Sequence, residues 1–222
     1  MDIVPIETLK MPVQKITRGP KYHFFGYYDK SPWSPDGRYI LAVETSFMDR
    51  PPTADDTAEV GIIDLREEFV FKPLAVTHTW NWQQGCMLQW LPNSSGLIIY
   101  NDRRDGGLVS VIRDVESEYE YTLPLPIYAV SRDCRKALTL NFSRLARTRP
   151  GYGYVGVPDP WASEKKPEED GVYLLDLTTG EHDLIISIAH MANFHPRRDM
   201  ENSIHWFNHI PVSYTHLRAH ET

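Results

Sequence analysis

The chain has 222 residues, of which 41% are hydrophobic and 24% are charged, as expected for a globular protein with a sizeable core. Its formal net charge of −7 argues against nucleic-acid binding as the main function, and its two cysteines provide neither a disulfide framework nor a zinc cluster. Seventeen prolines and thirteen glycines favour many turns over long helices.

The N-terminal segment MDIVPIETLK lacks the basic and apolar regions of a signal peptide. No apolar run in the sequence approaches the length of a membrane span. The sequence therefore predicts a cytoplasmic protein that has neither a membrane nor nucleic acid as its partner.

Three strand–turn–strand units follow one another along the chain. The first unit is SPWSPDGRYILAVE at 31–44, in which Pro35 presets φ for the turn and Gly37 supplies the positive φ that closes it. The same pattern recurs as MLQWLPNSSGLIIYND at 87–102, with a predicted turn at 93–96. It occurs again as IYAVSRDCRKALTLNF at 127–142, with a predicted turn at 132–135.

Each unit is followed by a third strand with an aspartate near its end, and then by a fourth strand. The third strands are predicted at 59–65, 108–114 and 171–177. Three units of four short strands with period-2 patterning predict an all-β fold. We expect a partial β-propeller of four-stranded antiparallel blades, with three blades and the start of a fourth at 201–210. A β-sandwich with long loops is the alternative.

The end of the chain departs from this pattern. A closed propeller needs about four to eight blades, so we expect residues 1–210 to be a truncated propeller. The string VSYTHLRAHET at 212–222 back-translates into a sequence that looks like a sequencing-library adaptor, with Pro211 at the junction. Residues 211–222 are therefore predicted to be a non-native tail, and a native tail is the alternative.

Two stretches resemble known propeller families. The string SPDGRYILA resembles TolB-like and WD40-like repeats, and HFFGYYDKSPWSPDGRY followed by WNWQQGCMLQW is similar to bacterial propeller proteins related to oligogalacturonate lyases. The resemblance covers roughly residues 21–210. It implies a lyase acting on oligogalacturonate, with a divalent metal held by a His/Gln cluster in later blades. No cofactor and no metal ligand can be assigned within this sequence.

The residues suited to binding are expected on one face of the propeller, where the connections between blades and between second and third strands emerge. Arginine forks bind carboxylates, aromatic faces suit sugar rings, and carboxamides suit hydroxyls. This combination predicts an anionic oligosaccharide as the partner. The predicted substrate-binding residues are Arg103, Arg104, Arg144, Arg147, Trp82, Gln84 and Tyr28. Trp82 has a structural alternative, which is to fill the gap between blades.

A lyase that works by β-elimination must neutralise the uronate carboxylate and remove the adjacent proton. His23 is the predicted catalytic base, with a structural hydrogen bond as its alternative. The sequence thus predicts a carbohydrate-active propeller, specifically a lyase of oligogalacturonate-type uronides, that is inactive as this fragment. The alternative is a non-catalytic propeller that binds a protein or a glycan.

Overall fold

The computed structural model describes residues 13–92, 94 and 96–210. Its strands form three four-stranded antiparallel sheets, each with its strands in chain order, which we call blades one, two and three. Blade one contains β1 (Tyr22–Phe24), β2 (Tyr39–Thr45), β3 (Ala58–Asp64) and β4 (Phe71–Thr77). Blade two contains β5 (Gln89–Trp90), β6 (Leu97–Arg104), β7 (Gly107–Asp114) and β8 (Glu120–Leu123). Blade three contains β9 (Ala129–Val130), β10 (Lys136–Thr139), β11 (Gly171–Asp176) and β12 (His182–Ser187).

This architecture confirms the predicted all-β partial propeller of four-stranded antiparallel blades. Residues 201–210, the predicted start of a fourth blade, have no regular secondary structure, and Phe207 and Ile210 pack against the core between blades two and three. The predicted non-native tail, residues 211–222, lies outside the described residues.

The turns before the second strands of blades one and three have the conformation that their residues predict. In blade one, Gly37 has a φ of 69° and its N–H donates to the Ser34 carbonyl at 2.9 Å. Cys134 takes the equivalent place in blade three with a φ of 58°, and its N–H donates to the Ser131 carbonyl. The turn predicted at 93–96 falls partly outside the described residues.

The aspartate near the end of each third strand has the same role in all three blades. Each faces the first residue of the neighbouring second strand, in the pairs Tyr39–Asp64, Leu97–Asp114 and Lys136–Asp176. Each carboxylate then accepts backbone N–H groups of the turn that follows. The common register shows that the three sheets are copies of one structural unit.

The core lies between neighbouring blades. Because side chains alternate along a strand, Ile98 packs toward blade one and Ile99 packs toward blade three. Leu41 and Val60 cover the first interface, and Ala137 and Leu175 are among the residues that cover the second.

The long connections emerge at one edge of the blades, because in each sheet the chain enters, leaves and passes from the second to the third strand at the same end. We call this edge the loop face; its longer segments are residues 46–57, 78–88, 140–170 and 188–210. It carries helix α1 (Phe142–Thr148), helix α2 (Ile188–Asn193) and a 3₁₀ turn at Arg198–Met200. None of the helices in the described residues has the length and apolar character needed to cross a bilayer.

Candidate functional site

Hydrogen bonds tie the connections of the loop face to one another. The Asn81 side-chain amide donates to the Gly153 carbonyl at 2.9 Å, which joins the segment before blade two to the long connection of blade three. The Trp82 indole N–H donates to the Arg50 carbonyl at 2.7 Å, and the Arg103 guanidinium donates to the Ala54 carbonyl at 2.5 Å. Segments from all three blades are therefore fixed relative to one another.

A tight turn follows helix α1 in the long connection of blade three. Its sequence is Arg149-Pro150-Gly151-Tyr152, and the Tyr152 N–H donates to the Arg149 carbonyl at 3.1 Å. Gly151 has a φ of 91°, so proline and glycine hold the two central positions that a type II turn requires. The turn brings its first and last side chains together, and the Arg149 guanidinium lies 4.2 Å from the centre of the Tyr152 ring.

Two tyrosines of the β1–β2 connection, Tyr27 and Tyr28, continue from this turn, and we call Tyr152, Tyr27 and Tyr28 the tyrosine row. The Tyr27 ring centre lies 6.3 Å from that of Tyr152, edge to face, and 4.4 Å from that of Tyr28. Tyr28 is 84% exposed, so most of its ring is open to solvent. The predicted sugar-binding residue Tyr28 is thus placed where a ligand can reach it.

The central tyrosine of the row has a perturbed pKa. Burial and the Tyr152 hydroxyl raise the pKa of Tyr27 well above its ordinary value. The Tyr27 hydroxyl lies 3.4 Å from Nδ1 of His209, and their rings are 5.6 Å apart. Tyr27 is therefore a proton donor throughout the physiological range.

A buried polar pair lies beneath the loop face. Gln84 is fully enclosed and donates from Nε2 to the Tyr128 hydroxyl at 3.1 Å. Its Oε1 is buried and has no hydrogen-bond partner in the described part of the chain. Since Gln84 has no exposed surface, the predicted contact between its amide and a sugar is not supported by this placement.

Arg144 is the centre of the long connection of blade three. It is only 1% exposed, and its five N–H donors meet five acceptors of the chain itself. Those acceptors are the carbonyls of His205, Trp161, Glu164 and Lys165 and the carboxylate of Asp159. The prediction that Arg144 binds a substrate carboxylate is therefore not supported, because every donor already holds the connection together.

The other predicted arginines are paired to different degrees. Arg104 contacts Asp102, Glu120 and Thr122 within blade two. Arg147 shares Asp159 with Arg144 at 3.0 Å and keeps about a third of its side chain exposed. Arg103 donates to a backbone carbonyl at the edge of the loop face. These residues do not converge on one point, and their roles as carboxylate ligands stay predictions.

Trp82 and His23 are both enclosed by neighbours. Trp82 lies in an aromatic cluster, 5.0 Å from the ring centres of Phe24 and Trp80, in agreement with its structural alternative. The His23 side chain is 7% exposed, with Nε2 at 2.8 Å from Glu44 Oε2, off the line of a good hydrogen bond. His23 also packs against the Phe71 ring. These contacts are those of the structural alternative, and the role of His23 as a base stays a prediction.

No group of three or more histidine, cysteine or acidic side chains in the described residues is arranged to hold a metal ion. The resemblance places the divalent metal on a His/Gln cluster in later blades, and no chemical step is derived through it.

The residues selected from the sequence as substrate-binding did not include Arg149, Tyr27 or Tyr152. The signal for Arg149 was present, because Arg-Pro-Gly-Tyr is the pattern of a type II turn that places its first and fourth side chains together. The signal for Tyr27 was absent, because its partner Tyr152 is distant in the sequence and meets it only through the fold.

No protein-family model and no curated protein sequence matches this chain. Among solved structures, the chain is similar to an oligogalacturonate lyase in complex with manganese, with 16% identity and a TM-score of 0.49 over 77% of this chain and 42% of that one. It is also similar to the apo form of the isopeptidase AtxE2, with 14% identity and a TM-score of 0.45 over 75% of this chain and 31% of the other. The chain thus spans less than half the length of each of these two proteins.

Proposed function

We propose that this chain belongs to a carbohydrate-active β-propeller that binds an anionic oligosaccharide of uronic acids on its loop face. The observation that carries the proposal is the tyrosine row, in which the 84% exposed Tyr28 lies against Tyr27 at 4.4 Å between ring centres. Flat aromatic faces pack against the C–H faces of sugar rings, and hydroxyl groups at their rims bond sugar oxygens. The HFFGYYDK stretch, which contains Tyr27 and Tyr28 of this row, resembles propellers related to oligogalacturonate lyases, and this supports the same ligand class.

The finer form of the proposal is a lyase that cleaves uronides by β-elimination. A base removes the proton next to the carboxylate, the electron pair forms a C=C bond, and the C–O bond to the leaving sugar breaks. The leaving oxygen must then take a proton. We assign this step to Tyr27, because a phenol is protonated at neutral pH and the Tyr27 ring lies against the exposed Tyr28.

A non-catalytic propeller that binds a glycan is the second candidate, and the placement of two predicted residues favours it. His23, the predicted base, is enclosed by Glu44 and Phe71. Arg144, a predicted carboxylate ligand, donates all its N–H groups to acceptors of the chain itself. The described residues therefore present a binding surface more completely than a catalytic set.

The test has two parts. Isothermal titration calorimetry measures the binding of trigalacturonate to the chain. The ultraviolet absorbance of the mixture is then followed over time to detect the unsaturated product of β-elimination. Tyr28→Ala should weaken binding about tenfold, since an aromatic contact contributes about 1 kcal/mol or slightly more. Tyr119→Ala is the matched control, because Tyr119 is 62% exposed but lies next to β8, away from the row.

Binding without an unsaturated product would favour the non-catalytic candidate, and formation of the product would favour the lyase. Equal loss of affinity in Tyr28→Ala and Tyr119→Ala would show that the tyrosine row is not the binding surface. Absence of binding by the unaltered chain would overturn the proposed function.

A further inference from the structure

The guanidinium of Arg149 differs from those of its neighbours on helix α1. Arg144 and Arg147 both pair with Asp159. For Arg149, by contrast, no ion pair with a carboxylate is found in the described part of the chain, and its contact is the ring of Tyr152 at 4.2 Å. A guanidinium that stacks through its flat face keeps its N–H groups, which lie in its plane, for other partners.

The turn that carries Arg149 is held from both sides. Before it, the Arg149 N–H closes the end of helix α1 by donating to the Leu145 carbonyl. After it, the Gly153 carbonyl accepts from Asn81, and a Cβ on Gly153 would overlap the helix backbone at Phe142 and Ala146. The turn therefore lies tight against α1 and is fixed to the segment before blade two.

The tyrosine row extends from this turn, so the Arg149 guanidinium and the exposed Tyr28 ring are linked by the two half-buried rings of Tyr152 and Tyr27. Arg149 lies on Tyr152, Tyr152 meets Tyr27 edge to face, and Tyr27 lies against the exposed Tyr28. A ligand could therefore place one sugar ring on Tyr28 and the carboxylate of another sugar unit near Arg149, at the other end of the row.

We propose that Arg149 is the residue that recognises the carboxylate of a uronic-acid unit, with Tyr152 holding its guanidinium in place by stacking. This inference rests on the proposed function and adds to it the residue that distinguishes acidic from neutral sugars. A planar guanidinium fork matches a carboxylate with two parallel N–H···O bonds, which a neutral ester cannot reproduce with the same strength.

The experiment measures the dissociation constants of trigalacturonate and of its methyl ester for three variants and the unaltered chain. Arg149→Met removes the charge and keeps an apolar stem, while Arg149→Lys keeps the charge and loses the fork. Arg135→Met is the matched control, because Arg135 is exposed in the β9–β10 turn, at the opposite end of blade three from the loop face.

The unaltered chain should bind the acid at least tenfold more tightly than the ester. Arg149→Met should lose this preference while its affinity for the ester stays within twofold, and Arg135→Met should match the unaltered chain for both ligands. Arg149→Lys should retain only part of the preference, which keeps the test decisive if the methionine variant does not fold.

Two results separate this inference from the proposed function. An unaltered chain that binds acid and ester equally, or an Arg149→Met variant that keeps the full preference, would overturn the role of Arg149 and leave carbohydrate binding standing. An unaltered chain that binds neither ligand would overturn both.

Discussion

Replacing Asp170 by asparagine should stabilise the protein near neutral pH. Asp170 is 0% exposed and lies immediately before β11, at the end of the long connection of blade three. Its Oδ2 accepts from the Asn141 side-chain amide at 2.9 Å, while Oδ1 is buried without a hydrogen-bond partner in the described residues. Burial is the largest influence, and it raises the pKa of the Asp170 carboxyl from an ordinary 3.8 to about 6.

The size of the effect follows from that pKa. The difference between about 6 and 3.8 is roughly 2 pKa units, and at about 1.4 kcal/mol per unit the buried charge costs about 3 kcal/mol at pH 7. Because the pKa is higher in the folded state, the folded protein binds this proton more tightly than the unfolded chain. Stability from this group is therefore complete below pH 3.8 and is lost as the pH rises to about 6.

The assay is urea unfolding of the unaltered chain and of Asp170→Asn, followed by tryptophan fluorescence at closely spaced pH values from 3.5 to 7.5, a range set to bracket the two pKa values (roughly 3.8 and 6). Each protein gives a curve of unfolding free energy against pH. Subtracting one curve from the other cancels the contributions of the titrating groups that the two proteins share. The variant should gain about 3 kcal/mol of relative stability between the lowest and highest pH. A flat difference, or one that falls with pH, would refute the reasoning that burial of this carboxyl controls its charge.

Two further substitutions test the loop face. Arg144→Met should cost about 3–5 kcal/mol of unfolding free energy, because it removes five buried hydrogen bonds and leaves the Glu164 and His205 carbonyls without the donor they have now. The partly exposed Arg147→Met should cost about 1 kcal/mol or less, and equal losses in urea unfolding would contradict the central role of Arg144. An alanine at a positive φ costs roughly 1–2 kcal/mol in backbone strain. Gly153→Ala should cost more than this, because its Cβ would also overlap helix α1, whereas Gly37→Ala has nothing within 4 Å of its Cβ and should cost only the backbone strain. Similar shifts in melting temperature for the two variants would count against the close approach of Gly153 to the helix.

The repeated unit was predictable because its signals are local. A turn of Ser-Pro-Asp-Gly type fixes where one strand ends and the next begins, and an aspartate near the end of each third strand fixes the opposite turn. The pairs Tyr39–Asp64 and Lys136–Asp176 show that both signals stand at matching register positions. Each blade could therefore be placed from fewer than about sixty consecutive residues, with no knowledge of distant contacts.

The candidate site was predictable only in part, because its signals are not local. Sequence reasoning placed Arg144 on the loop face, and the structure also has it there. The acceptors that enclose its guanidinium lie 15 to 61 residues further along the chain, at Asp159 and as far as His205. Four of these acceptors belong to the same connection as Arg144, but they reach its guanidinium only through the way that connection folds back, which no local sequence pattern shows. The surroundings of His23 were hidden from sequence reasoning for a similar reason, because Glu44 faces it only through strand pairing.

Because the whole chain is negatively charged, a cation close to the bound ligand is needed to attract an anionic sugar. With a formal net charge of −7, the protein repels an anionic sugar at long range, so attraction has to arise from cations close to the bound ligand. Arg144 and Arg147 are already balanced by Asp159. Arg149 is instead held by an aromatic ring, which fixes a cation without neutralising it. Because the turn that carries it is tied to helix α1 and to the neighbouring connection, little ordering is required when a ligand binds, and more of the contact energy remains for affinity.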